Sequence, residues 1–435
     1  MVAAVQKELV DRQNAMRAGA PEAEHELDRG ADALPPEELN EPDTAVPLAT
    51  LRDLNAAMAL LPDGFAPHPK LSKQLEKRAS ALQEPKEATV DWAQAELLAF
   101  ASLLHEGTPI RLTGQDTVRG TFSQRHAALV DAASGKPHVP LQHLPGSTAS
   151  FELHNSPLSE YACLGFEYGY AVTAPDALVL WEAQYGDFVN GAEIIIDQFL
   201  VSGLAKWRQT SRLTLLLPHG YEGSGPEHSS ARLERFLALG AEGNIRVIYP
   251  TTPAQYFHLL RRQARHHDTR PLVVMTPKSL LRLPLAASRP ADLASGAFRS
   301  VLDDSRFGSQ SKAAKVRRLL LCSGKVYYDL VASEQYAEAT DVAIVRLERL
   351  YPFPAEELQS VIDRYPRIES FAWVQEEPRN MGARKFVLPR IRHLVPYKIP
   401  LGDISRPERS RPAEGYPAAH GIEQARIVRE ALTER

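Results

Sequence analysis

The side chains best suited to chemistry in this chain fall in two short polar stretches. GQDTVRGTFSQRH packs Gln115, Asp116, Arg119, Arg125 and His126 together, and LPHGYEGSGPEHSS does the same with His219, Glu222, Glu227 and His228. Imidazoles among carboxylates are the raw material of proton transfer near neutral pH. Histidines satisfied within a scaffold are the competing reading of the same residues. Several other patterns fail on inspection. GQDTVRGT has one residue too many between its glycines for a phosphate loop, and no lysine. GSGPEH puts His228 where a dinucleotide fingerprint needs its third glycine. No HExxH, GxSxG or CxxC occurs, so the chain carries no metal-ligand set of recognisable spacing. His266 and His267 sit among charges at a helix end and read as a solvated face.

Both stretches need rigid elements to aim them. From Asp91 onward helix and strand alternate: DWAQAELLAFASLLHEG capped by Asp91, the strand PIRL, the helix SEYACLGFEYGYA and the strand ALVLW. The helix GAEIIIDQFLVSGLAKW, the strand RLTLLLP, a helix SSARLERFLALG with Ser229 or Ser230 as N-cap, RVIYP, PAQYFHLLRRQA and PLVVMTP follow. Strands written as continuous apolar runs between helices predict a parallel sheet covered on both faces. In such sheets ligands bind at the loops leaving the C-terminal strand ends, and both polar stretches are such loops. The rhythm restarts at RRLLLCSG and continues through DVAIVRLERL and SFAWVQEEP to a last helix, GIEQARIVREAL. The reading is therefore α/β, with two consecutive parallel-sheet domains and a helical N-terminal extension. Residues 1–46 read as a mobile helical start and linker, and 47–89 as a helical segment wrapping another surface. The first α/β unit spans 90–285, a linker 286–314, and the second unit 315–435.

Composition narrows the class. Fifty basic against 54 acidic side chains in 435 residues leave a net charge of −4. That balance supplies no global field for nucleic acid or an anionic membrane. No run approaches about 18 uninterrupted apolar residues, which argues against a spanning helix. The opening MVAAVQKELVDRQ has acidic residues and no apolar core, unlike a secretory signal. Cys163 and Cys322 lie in apolar runs far apart and point to a reducing, cytoplasmic setting.

Longer blocks carry more. SEYACLGFEYGYA, LWEAQYGDFVNGAEIIIDQF, LPHGYEGSGPEHSSARLERFL, PTTPAQYFHLLRRQA, VVMTPKSLLR, LCSGKVYYDL and RLERLYPFP are long and collinear. Together they resemble the 2-oxoglutarate dehydrogenase component, the thiamine-diphosphate-dependent first enzyme of its complex, from about residue 47 to the end. The resemblance implies a transketolase-type domain that binds the pyrimidine of thiamine diphosphate at 90–285. A transketolase-type C-terminal domain would follow.

Residue by residue, the resemblance makes Glu160 the carboxyl that bonds the pyrimidine ring nitrogen and activates the cofactor. The residues alone read it equally as an acidic side chain in a helix's first turn. Leu158 would lie under the cofactor, and Phe188 would stack on the aminopyrimidine with Tyr185 as its rival. His228 would meet the 2-oxo acid, with His126 and His219 as weaker candidates for the same substrate.

The family's Gly-Asp-Gly start for magnesium and diphosphate occurs nowhere in this sequence. Mg2+ is thus expected in a diphosphate-binding half supplied in cis or in trans, the chain being a truncated reading frame or a subunit of a split enzyme. The activity implied is decarboxylation of 2-oxoglutarate with succinylation of the lipoyl group of dihydrolipoyl succinyltransferase, a step of the tricarboxylic acid cycle. A decarboxylase or carboligase relative, a 2-oxoadipate dehydrogenase, and a non-catalytic assembly subunit are the alternatives. The family further implies a homodimer, dihydrolipoyl dehydrogenase as a second complex partner, and no nucleic acid or membrane partner.

Overall fold

The computed structural model describes residues 2–19 and 41–433. The chain is α/β, built on two sheets dominated by parallel pairing. The larger sheet has seven strands in the order Arg349–Tyr351, Arg246–Ile248, Leu272–Thr276, Thr214–Pro218, Leu178–Glu182, Ile110–Gly114 and Phe151–Asn155. All its neighbours are parallel except the first pair. Leu178–Glu182 and Thr214–Pro218 are buried at every position, as a sheet covered on both faces requires. Fully burying a leucine there is worth about 1.5–3 kcal/mol, so these runs hold the sheet together.

Helix α1 spans Val2–Gly19, α2 Leu48–Ala59, α3 Pro69–Ser80, α4 Trp92–His105 and α5 Glu160–Thr173. α4 starts where the Asp91 carboxylate accepts the Gln94 N–H at 3.0 Å. It is buried on nearly all sides, sandwiched between the Pro253–Arg265 helix and α2. α2 lies on it, with Leu51 and Leu54 in the core, and α3 packs on α2, its end tied to Asn55.

The second sheet runs Leu401–Arg406, Ser370–Pro378, Arg318–Cys322, Val342–Leu347 and Val301–Leu302, with only the last pair antiparallel. The two domains are stitched together more closely than the sequence reading allowed. The segment 286–314, expected as a linker, is structured: it supplies the Val301–Leu302 strand, two short α-helices and a 3-10 turn. Conversely Arg349–Tyr351, expected inside the second unit, closes the edge of the first sheet. Two-residue and three-residue strands leave too little periodicity to be seen in sequence.

Part of the N-terminal linker is also docked. Residues 20–40 lie outside the described ones, but Thr44 and Val46 are buried, and Glu41 pairs with Arg262 at 2.6 Å. His266 corrects another expectation. It is buried while its stacked neighbour His267 is exposed, because the Arg212 side chain and the Asp268 loop fold over it.

Residues Gly186–Trp207 form one helical stretch, long and apolar enough to cross a membrane by length and composition alone. The test for uninterrupted apolar runs missed it because Asp187, Glu193 and Asp197 punctuate it. A third of that window is buried in the fold, and Asp187 at its start is committed to the site described next. Cys163 and Cys322 are free and buried.

Candidate active site

Five segments converge where strands of the larger sheet end. Each follows a strand's C-terminal end: Asn155, Gly114, Glu182, Pro218 and Thr276. The loop after Asn155 turns at Ser159, whose hydroxyl caps α5, so Glu160 becomes the first helical residue. Its half-buried carboxylate makes no hydrogen bond or ion pair among the described residues. It rests against Gly191, where an added Cβ would come within 3.2 Å of Oε2. A carboxylate left half-buried and unpartnered, beside a residue whose lack of a side chain makes room for it, fits an incoming nitrogen heterocycle. Leu158, two residues earlier, is 54 % exposed and open to contact.

The segment after Glu182 brings Tyr185, Asp187 and Phe188. The Tyr185 ring stands edge-on to His228 at 4.3 Å between centroids, and Phe188 meets the same imidazole at 5.9 Å. Phe122, from the first polar stretch, closes on Tyr185 at 5.6 Å. Asp187 Oδ1 accepts the N–H groups of Ser229 and Ser230 at 3.1 and 3.0 Å. Lys278, just beyond Thr276, donates to the His228 carbonyl at 2.5 Å. Burial holds the Lys278 ammonium below its ordinary range, against the pull of Glu222, Asp187 and Glu376. The backbone is thus held at the His228 carbonyl and at the two residues that follow it, while the His228 ring packs against two aromatic rings.

Asp187 and Lys278 were not found by sequence reasoning. Each acts on backbone groups of a distant loop, which leaves no local motif. The one available signal was a lysine closing the apolar strand PLVVMT. Ser229 and Ser230 do not cap a helix as expected. Arg232 adopts a left-handed backbone at φ 55°, and the helix begins only at Leu233.

The weaker candidates go elsewhere. His219 is buried in the seam between the two domains. Its Nδ1 accepts the Ala231 N–H at 3.0 Å and its Nε2 pairs with Glu377 Oε1 at 2.9 Å. Since Nδ1 must be the acceptor, Nε2 carries the proton and donates it. Both ring nitrogens are spent on the scaffold.

Arg125, next to His126, is buried between Glu96 and Glu182 and donates to both. That anchors the first polar loop, and Gln184 donates to Asp116 at 3.0 Å beside it. His126 itself lines a cavity on the α2–α4 side, away from the rings around His228. Burial, followed by the Arg78 charge, lowers its pKa.

Two family models match the chain. Residues 88–284 match the transketolase pyrimidine-binding domain, and residues 287–432 the 2-oxoglutarate dehydrogenase C-terminal domain. A "2-oxoglutarate dehydrogenase E1 component" from Geobacillus kaustophilus strain HTA426 is 49% identical over 99% of this chain and 45% of its own length. One of the same name from Bacillus cereus strain AH820 is 53% identical over 90% of this chain and 41% of its own. The chain therefore spans less than half the length of these relatives. Glu160, Phe188 and His228 fall in the segment that the pyrimidine-binding model matches, and on these grounds the chain belongs to the thiamine-diphosphate-dependent 2-oxoglutarate dehydrogenase family, corresponding to the C-terminal part of its E1 components.

Proposed function

We propose that this chain supplies the pyrimidine-binding half of a site that decarboxylates 2-oxoglutarate and hands the succinyl group to the lipoyl arm of dihydrolipoyl succinyltransferase. The observation that carries the reading is Glu160: a half-buried carboxylate with no partner among the described residues, opening α5 at the C-terminal rim of a parallel sheet. Thiamine diphosphate, when bound, supplies an electron sink for the carbon–carbon bond that breaks.

The chain's own residues do the rest. The Glu160 carboxyl shares a proton with the pyrimidine ring nitrogen. Leu158 and Phe188 give the heterocycle apolar contact, with Tyr185 a second aromatic within reach of the same ring. The His228 imidazole faces the 2-oxo acid and takes or returns a proton at a ring nitrogen. Lys278 holds the His228 carbonyl, and Asp187 holds the two residues after it. Tyr185 and Phe188 limit water around the ring. Magnesium and the diphosphate are held by a domain outside this sequence, since nothing in it resembles the family's motif for them.

A second protomer is part of the proposal. Leu158, just before α5, and Tyr161 and Phe166 on it expose apolar surface, at 54 %, 47 % and 57 %, beside Glu160. Dihydrolipoyl dehydrogenase completes the proposed complex, in the cytoplasm. The test is turnover by the complete enzyme on a panel of 2-oxo acids, with and without the lipoyl acceptor. Acceptor-dependent preference for 2-oxoglutarate supports the proposal; no turnover of 2-oxoglutarate, or a preference for 2-oxoadipate, rejects it.

A further inference from the structure

The loop that carries His228 is closed on itself at its base. Gly220 donates its N–H to the Ser229 carbonyl at 2.9 Å, and Ala231 donates to Nδ1 of His219 at 3.0 Å. His228 stands just before the residues that these two bonds hold. The second domain grips the same base through consecutive side chains. Glu376 Oε1 accepts the Tyr221 N–H at 2.9 Å, and Glu377 Oε1 pairs with His219 Nε2 at 2.9 Å. A regular strand sends neighbouring side chains to opposite faces. The Ser370–Pro378 strand slips register against Leu401–Arg406 between Val374 and Pro378, and both its glutamates reach one loop.

Glu376 is also tied to Lys325 at 2.8 Å. The Glu377 carboxylate has one hydrogen-bond partner among the described residues, the His219 ring. Glu377 is 4 % exposed and is closed over by Gly382, where an added Cβ would come within 2.9 Å of its side chain. A carboxylate buried for one hydrogen bond gains little stability, because its lost hydration is only partly returned. What the contact does fix is a tautomer. A carboxylate only accepts, so His219 must carry its proton on Nε2. That leaves a lone pair on Nδ1, which the Ala231 N–H requires. The other tautomer would set N–H against N–H and release the end of the loop.

We propose that Glu377 is a positioning residue for the reaction at His228: by holding His219 in one tautomer, it sets the loop that presents the His228 imidazole. The second domain thereby completes a site whose other side chains come from the first. The inference rests on the proposed role of His228, but two of its three tests need no turnover.

Heteronuclear NMR of the 435-residue chain, labelled at histidine, reads the tautomer, with His219 assigned by the signal lost in His219→Gln. His219 is expected with its proton on Nε2. Glu377→Leu should shift the His228 ring resonances, whereas Glu377→Gln, whose amide oxygen still accepts, should leave them near the parent's. In the complete enzyme Glu377→Leu should lower kcat about tenfold per folded molecule, with KM within about threefold of the parent's. Glu377→Gln should recover most of that loss. Glu377→Asp, which withdraws the carboxylate by one methylene, replaces Glu377→Leu if that variant does not fold. A proton on Nδ1 of His219, unmoved His228 resonances, or an unchanged kcat in an active enzyme overturns the proposal. An enzyme inactive on 2-oxoglutarate would instead reject the proposed reaction, and the two NMR readouts would still decide the role of Glu377.

Discussion

Tyr185 meets His228 edge-on at 4.3 Å, the closest ring contact of the candidate site. Such a pair contributes about 0.5–1.5 kcal/mol beyond burial and fixes the plane of the imidazole. Tyr185→Ala should shift the His228 ring-proton resonances and lower stability by at least that amount, since burial is lost as well, while Tyr185→Phe should leave both nearly unchanged. NMR with selectively labelled histidine reads the first effect, and urea unfolding the second. Unmoved His228 resonances in Tyr185→Ala would mean the contact does not form in solution.

Arg125 is 1 % exposed and is paired with Glu96 and Glu182, with Tyr256 also bonded to Glu96. Arg125→Met would strand two buried carboxylates, and breaking such a pair costs about 3–5 kcal/mol. Chemical denaturation should show that loss. A variant within about 1 kcal/mol of the parent would mean the cluster is solvated or protonates without penalty.

Lys278 reaches the His228 carbonyl at 2.5 Å from the strand that ends beside it. In the complete enzyme, Lys278→Met should lower kcat about tenfold, equivalent to about 1.4 kcal/mol, with little change in KM. Lys278→Arg should recover part of the loss. A purely structural role would instead lower stability and leave kcat per folded molecule unchanged.

Burial depresses the pKa of His258, whose ring nitrogens lie 2.8 Å from the Thr44 hydroxyl and from the Asp292 carbonyl. The unfolded chain takes up this proton near pH 6.5, whereas the folded chain does so only at lower pH. Stability from this group is therefore complete above about pH 6.5 and is lost as pH falls toward the depressed value. His126, His138 and His420 are shifted the same way, so they share the slope. Tm should fall between about pH 7.5 and 5.5, and His258→Gln should flatten the fall. An equal slope in parent and variant would remove His258 from the explanation.

How much of this was legible in the sequence depends on where each residue's partners lie. Leu178–Glu182, Thr214–Pro218 and Leu272–Thr276 were readable because a strand buried on both faces is apolar at nearly every step. Phe151–Asn155 was not: it is an edge strand whose sequence, FELHN, grows polar toward solvent. Leu401–Arg406 hides behind its glycine and aspartate for the same reason. Glu160 and His228 were visible inside long family-like blocks, but composition cannot separate His228 in the site from His219 in the seam. What separates them is Glu377, 158 residues further along the chain.

The central claim is that this chain provides the pyrimidine half, and not the diphosphate half, of a thiamine diphosphate site. The most direct measurement is calorimetry of thiamine diphosphate with Mg2+ against the 435-residue chain, alone and mixed with the diphosphate-binding portion of a relative. The account predicts no micromolar binding to the chain alone. It predicts tight binding in the mixture, with turnover of 2-oxoglutarate that Glu160→Ala abolishes while the fold stays intact. Micromolar binding by the chain alone, or turnover in the mixture that survives Glu160→Ala, would contradict it.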